Sequence, residues 1–340
     1  MGRTRCLWLW SMLVLLCGAA LEARAADAPN PSMAAAVAAA RANQPMSDQG
    51  TKTCLTCHNQ PPVNLILQTS MGRAGDKGTP MGQAGCESCH GPAGGHAKLQ
   101  KGPDGNPLMP AILYKKPNVP WPVEPSPVEE RNAQCLQCHE SGLRMNWRGS
   151  AMQKAGVACT DCHQTHVTKD PILVKLTQAD RCFSCHSQQR AESFEYSHHP
   201  TREGKVVCSD CHNPHGSPGA DYALKEFTVN QTCYNCHADK RGPMLWEHQP
   251  VRDDCLNCHT PHGSNEARLM KERMNFLCAS CHSAQSNNSG GQFGGSRSIP
   301  FHSVNGTTSL GNSLANPRAC LNCHSQIHGS NSPSGAYFFR

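Results

Sequence analysis

Ten Cys-x-x-Cys-His motifs run along this chain, starting at Cys54, Cys86, Cys135, Cys159, Cys182, Cys208, Cys233, Cys255, Cys278 and Cys320. From Cys135 to Cys278 successive starts lie 22 to 26 residues apart, room for a helical turn or two and a loop. Long helices and sheets have no space. A lone Cys-x-x-Cys is ambiguous, because pairs of them build zinc ribbons and one beside a βαβ pattern suggests thiol redox chemistry. Neither use requires a histidine after the second cysteine, and here all ten have one. That histidine marks covalent attachment of c-type haem, the two thiols bonding the vinyl groups and the imidazole becoming the proximal iron ligand.

Ten haems follow. The second thiols are Cys57, Cys89, Cys138, Cys162, Cys185, Cys211, Cys236, Cys258, Cys281 and Cys323. The proximal ligands are His58, His90, His139, His163, His186, His212, His237, His259, His282 and His324. No Cys-x-x-Cys-Lys variant occurs, which argues against a catalytic haem of the nitrite-reductase type. The chain is only 38% apolar and 5% aromatic, too little for an ordinary core. The expected fold is therefore a multihaem cytochrome c with little regular secondary structure: short helices and loops wrapped round an elongated chain of haems. The motifs come in five pairs, and a division into two pentahaem halves, 54–200 and 201–340, is expected.

Residues 1–25 read as a secretory signal peptide, with Arg3 and Arg5, an apolar run from Leu7 to Leu16, and Ala23-Arg-Ala25 as a cleavage site. Cys6 and Cys17 fall inside it, so every remaining cysteine belongs to a motif and no disulfide is expected. Residues 26–53 form an N-terminal segment in which Met33 to Arg41 predicts a short helix. The formal charge of +6 falls to +4 without the leader. Two propionates per haem take it to about −16, so the basic apoprotein does not imply a nucleic-acid partner. Lys101 to Glu130 carries eight prolines and reads as an extended surface segment, and Ser283 to Pro317 as a flexible loop.

Nine histidines remain for distal positions. His96, His166, His215, His262 and His328 each follow the second motif of a pair closely. The other distal ligands are expected from the linker within each pair. His199 lies 13 residues after His186, and the same offset from His58 and His139 gives Met71 and Met152. His248 and His302 fill the fourth and fifth linkers, and His198 is left over. Methionine ligation raises a haem potential relative to two histidines. A rival allocation uses both His198 and His199 and leaves one site open or methionine-bound, as a multihaem oxidoreductase acting on a small substrate would require.

Several stretches resemble the periplasmic decahaem cytochromes of outer-membrane electron conduits, the MtrA, MtoA and PioA (DmsE-like) family. They are Cys86-Glu-Ser-Cys-His-Gly-Pro92, Cys208 to Gly216, Lys240-Arg-Gly-Pro243, Leu245-Trp-Glu-His248, and Cys320 to Ser330. The resemblance implies a haem wire held in the periplasm at the outer membrane, inside an MtrB- or MtoB-like β-barrel porin. Its implied exchange partners are periplasmic or inner-membrane cytochromes on one side and extracellular Fe(II) or an outer-surface cytochrome on the other. Met71 and Met152, where metal-reducing members look bis-histidine, point to the iron-oxidising MtoA type and inward flow. Outward export to metal oxides is the alternative direction.

Overall fold

The computed structural model describes residues 31–219, 222–282, 320–322, 324–333, 335 and 338. The signal peptide at 1–25, His302 and Cys323 lie outside them. Among the described residues there is no strand, only isolated bridges such as Ser197 with Ser264 and Trp246 with Ser330. None of their helices is long and apolar enough to cross a membrane. The four longest helices are α1 (Pro31–Ala42), α2 (Val128–Leu136), α3 (Lys175–Phe183) and α4 (Met274–Cys281). The predicted helix at 33–41 is α1. The remaining described elements run for six residues or fewer, as the short motif spacing demands.

The chain forms two compact units, Met1–Cys138 with His166–Thr168, and His139–Thr165 with Lys169–Arg340. This boundary falls inside the third motif and is a different division from the pentahaem halves expected at 54–200 and 201–340.

Each motif is a helical turn with a defined job. In nine of them the histidine N–H donates to the carbonyl of the first cysteine at 2.9–3.1 Å, as from His58 to Cys54 and from His259 to Cys255. Residues four apart lie one above the other on a helix. The turn thereby brings the first thiol and the imidazole to one side. Asp161 and Asp210 tighten two such turns, accepting the N–H of buried Ala158 and Val207 at 2.8 and 2.9 Å.

Within a pair, a buried amide just before the first motif clamps the second. Gln178 donates to Ile172 O at 2.9 Å and accepts Ser209 N–H at 2.9 Å. Asn230 donates to Val251 O and Arg252 O, both at 3.0 Å, and accepts Cys255 N–H at 2.7 Å. The first thiols of the paired motifs meet as a result. The thiols of Cys54 and Cys86, of Cys182 and Cys208, of Cys233 and Cys255, and of Cys278 and Cys320 lie within hydrogen-bonding reach of each other, with no disulfide between them.

In the first unit, the proline-rich segment differs from the surface spacer expected of it. Leu108, Leu113 and Ser126 are buried. The segment folds back over the second motif and is held by α1. Arg41 donates to Pro110 O and Ala111 O, each at 3.1 Å, and to Ser126 Oγ at 3.3 Å. Gln44, just beyond α1, donates to Met109 O at 2.8 Å. Proline lacks an N–H, so such a segment is rich in free acceptors. Guanidinium and amide donors match that surplus.

Candidate functional site

The histidines of the motifs do not stand alone. Seven of them face a second imidazole. In the first unit His58 faces His96 and His90 faces His166, both with ring centres 6.2 Å apart. In the second unit the pairs are His163 with His215 at 6.0 Å, His199 with His237 at 6.3 Å, and His212 with His262 at 6.1 Å. His248 with His282 and His259 with His328 follow, each at 6.1 Å. Two metal–imidazole bonds of about 2 Å, with about 1.1 Å from each nitrogen to its ring centre, would put the centres about 6.2 Å apart. All seven separations fit one iron between two rings, and are too wide for direct stacking.

The exchange has a register. A histidine that follows the second motif faces the second motif of the preceding pair: His215 faces His163, His262 faces His212, and His328 faces His259. A linker histidine faces the first motif of the following pair: His199 faces His237, and His248 faces His282. Neighbouring pairs thus trade ligands, which local spacing could not reveal.

The second ring nitrogen is fixed as well. A backbone carbonyl accepts the Nδ1–H of His96 (Leu108 O, 2.8 Å), His166 (Val63 O, 2.9 Å) and His199 (Pro261 O, 2.6 Å). His90 (Ile112 O, 3.4 Å), His212 (Tyr222 O, 2.7 Å) and His259 (Arg268 O, 2.9 Å) are bound likewise. Carboxylates stand at His163 (Asp170 Oδ2, 2.7 Å) and, at longer range, His262 (Glu192 Oε2, 3.3 Å). Such partners hold the tautomer that leaves Nε2 free for a metal. Tyr222 and Arg268, whose carbonyls serve His212 and His259, have left-handed backbones at φ 56° and 62°. The turns that aim those carbonyls are strained.

Burial favours the neutral imidazole, the form a metal requires. Burial pushes His90, His215, His248 and His328 below the usual histidine value, and neighbouring imidazoles, with Arg144 at His215 and Lys240 at His328, add to the effect. Large apolar side chains such as Leu173, Leu176, Tyr196 and Phe227 are 71–79% exposed. Those side chains offer a lining for flat apolar groups.

His198 does not join the pairs. Its Nδ1 bonds to Glu195 O at 2.8 Å and its Nε2 lies 3.6 Å from Glu203 Oε1. His199, one residue on, is the one that faces His237, so the allocation that uses both histidines is not supported. Met71 lies in the turn Ser70–Gly72 and Met152 in the turn Ala151–Lys154, both half-buried. Of the motif histidines, His139 and His186 face no second ring among the described residues.

The sequence reading missed a second repeated feature, the tripeptide His-Gly-Ser at 215–217, 262–264 and 328–330. A Cβ on Gly216 would collide with Asn146 O, and one on Gly263 with Glu192 O. One on Gly329 would lie 2.6 Å from Met244 Cγ and 3.3 Å from Trp246 O. Each obstacle sits in the linker of the preceding pair. The serine Oγ then accepts the N–H two residues on, at 3.1, 2.9 and 3.0 Å respectively. The glycine lets neighbouring pairs approach closely enough to exchange histidines. Gly263→Ala is expected to cost about 2 kcal/mol through overpacking and to loosen the His212–His262 site. Thermal unfolding and the appearance of a high-spin haem signal check this.

The model of the family described as "Doubled CXXCH motif" matches residues 152–191, 198–242 and 248–287, and that of "Cytochrome c554 and c-prime" matches residues 21–91. Multiheme cytochrome MtrA of Shewanella baltica (strain OS185) is 41% identical over 295 residues, 85% of this chain and 81% of that protein. With doubled motifs, short helices and paired imidazoles in one chain, this protein belongs to the MtrA family of multihaem cytochromes: it is an electron-transfer protein that carries covalent c-type haem.

Proposed function

We propose that the chain holds ten haems in the periplasm and conducts electrons across the outer membrane inside a porin barrel, inward from extracellular Fe(II) to periplasmic carriers. The observation that carries this reading is the register of ligand exchange. Within the second unit neighbouring pairs of motifs are joined through shared haem sites, so their bound groups would form a series. When bound, c-type haems supply reversible one-electron transfer and no bond-making chemistry. The chain contributes everything else. Its cysteines would hold each group in place, its paired imidazoles would ligate the iron from two sides, and the Nδ1 partners keep those imidazoles oriented with Nε2 free.

The direction rests on Met71 and Met152. They occupy the linker slot that His199 and His248 fill in later pairs. By the register, Met152 serves the haem of His186. Thioether ligation favours the reduced iron and suits a weak donor such as Fe(II). His302, in the same slot of the fifth pair, is left for His324. These assignments favour the MtoA type.

Proteoliposomes test the whole reading. With the protein and its barrel partner in the membrane, external Fe(II) is expected to reduce an acceptor dye trapped inside. Vesicles with the barrel alone should show none. Transfer from an internal low-potential donor to an external oxide, without the Fe(II)-driven reaction, would reverse the assigned direction.

A further inference from the structure

The proximal histidines of the second motifs form a set of internal controls. In three of them Nδ1 meets a neutral backbone carbonyl: Ile112 O for His90, Tyr222 O for His212, and Arg268 O for His259. His163 meets a carboxylate instead, Asp170 Oδ2 at 2.7 Å. This is the shortest carboxylate contact to any of the paired imidazoles among the described residues. The Glu192 contact to the distal His262 is longer, at 3.3 Å.

Asp170 is built to hold that position. Its side chain is only 13% exposed. Its other oxygen, Oδ1, accepts Gln164 N–H at 3.2 Å and Ile172 N–H at 3.3 Å, capping the turn Pro171–Leu173. The carboxylate cannot swing away without releasing both amides. On the opposite side His215 faces His163 with an interplanar angle of 13°, and buried Trp147 packs against His215. A group held between the two rings would be backed by an anion on one side and by an apolar wall on the other.

We propose that Asp170 is a potential-setting positioning residue, which makes the haem of Cys159, Cys162 and His163 more reducing than those of His90, His212 and His259. The inference rests on the reading of His163 as an iron ligand. A carboxylate that accepts the Nδ1–H gives the imidazole partial imidazolate character and raises its basicity toward the metal. A more basic ligand favours ferric over ferrous iron, and hydrogen bonding around the axial ligand is an established lever on haem potential. The nearby negative charge acts in the same direction. A carbonyl acceptor does both weakly.

Asp170→Asn in the holoprotein is the test, read by redox titration and by low-spin electron paramagnetic resonance. The variant should keep its haem content and its low-spin iron. One component of the titration should move up by about a tenfold change in ferric-to-ferrous ratio at fixed potential, about 59 mV for one electron. The rest should stay in place, and Asp170→Glu should restore part of the shift. A titration of the fully loaded Asp170→Asn protein that superimposes on the parent overturns the proposal. If that variant fails to load haem, the unmodified protein decides: one low-spin signal with the narrowed g-spread of an imidazolate-like ligand supports the role, and its absence overturns it. His163→Ala separates the underlying reading, since one haem should turn high-spin if His163 binds iron. No such change would show that the ligand assignment has failed, rather than the tuning.

Discussion

Replacing Met71 and Met152 together by histidine is expected to remove the high-potential part of the redox titration. The near-infrared band of methionine-ligated ferric haem should disappear with it. A thioether is a poorer donor to ferric iron than an imidazole, so the exchange stabilises the oxidised state. Each of the two haems should fall by on the order of 100 mV, a modest part of the ~0.8 V that axial ligands span. That is nearly two decades in ferric-to-ferrous ratio at about 59 mV per decade. The sites can accommodate the change, because both methionines are half-buried in short turns rather than packed in a core. The Ser150 hydroxyl that accepts Gln153 N–H at 3.1 Å keeps the turn around position 152 intact. Fe(II)-driven reduction should slow in the double variant, whereas reduction by a strong donor should not. An unchanged titration would mean that neither thioether touches iron.

The chemistry of this chain was legible because it is written in contiguous residues. A thiol, a second thiol and an imidazole within five residues require no tertiary information. Which imidazole meets which was hidden, since the partner of His163 lies in the next pair and that of His259 in the last. The glycines of the His-Gly-Ser turns carried that information. Gly216 and Gly263 lack a side chain because another linker's backbone passes there, Asn146 in one case and Glu192 in the other. The proline-rich segment was misread for a different reason. Prolines signal missing donors, and missing donors suggest a chain left to water. Here the same deficit makes Leu108, Met109, Pro110, Ala111 and Ile112 a row of acceptors for buried donors.

That row of acceptors makes Arg41→Ala the most disruptive single change expected in the first unit. Arg41 is buried, and burial pulls its guanidinium below the usual arginine value while Glu130 partly offsets this. Its three hydrogen bonds tie α1 to the 110–126 segment. Removing the charged donor leaves the carbonyls of residues 110 and 111 buried without it. Hydrogen bonds to charged groups contribute about 1.5–3 kcal/mol each, and stranded acceptors add cost, so the loss should reach about 4 kcal/mol. The damage should be local, because covalent attachment at Cys54 and Cys57 does not depend on the strap. His96 would suffer first. Its N–H is held by Gln44 Oε1 at 2.9 Å and its Nδ1 by Leu108 O at 2.8 Å, so both supports rest on what Arg41 clamps. Hydrogen exchange should rise across 106–126 while the second unit stays protected, and a part of the His58 site should turn high-spin. Arg41→Lys should recover only a fraction, since one ammonium cannot reach two carbonyls and a hydroxyl in the fork geometry of a guanidinium. Full haem content with lost protection would separate clamping from attachment. Unchanged exchange in Arg41→Ala would mean that the strap is held by its own packing at Leu108 and Leu113.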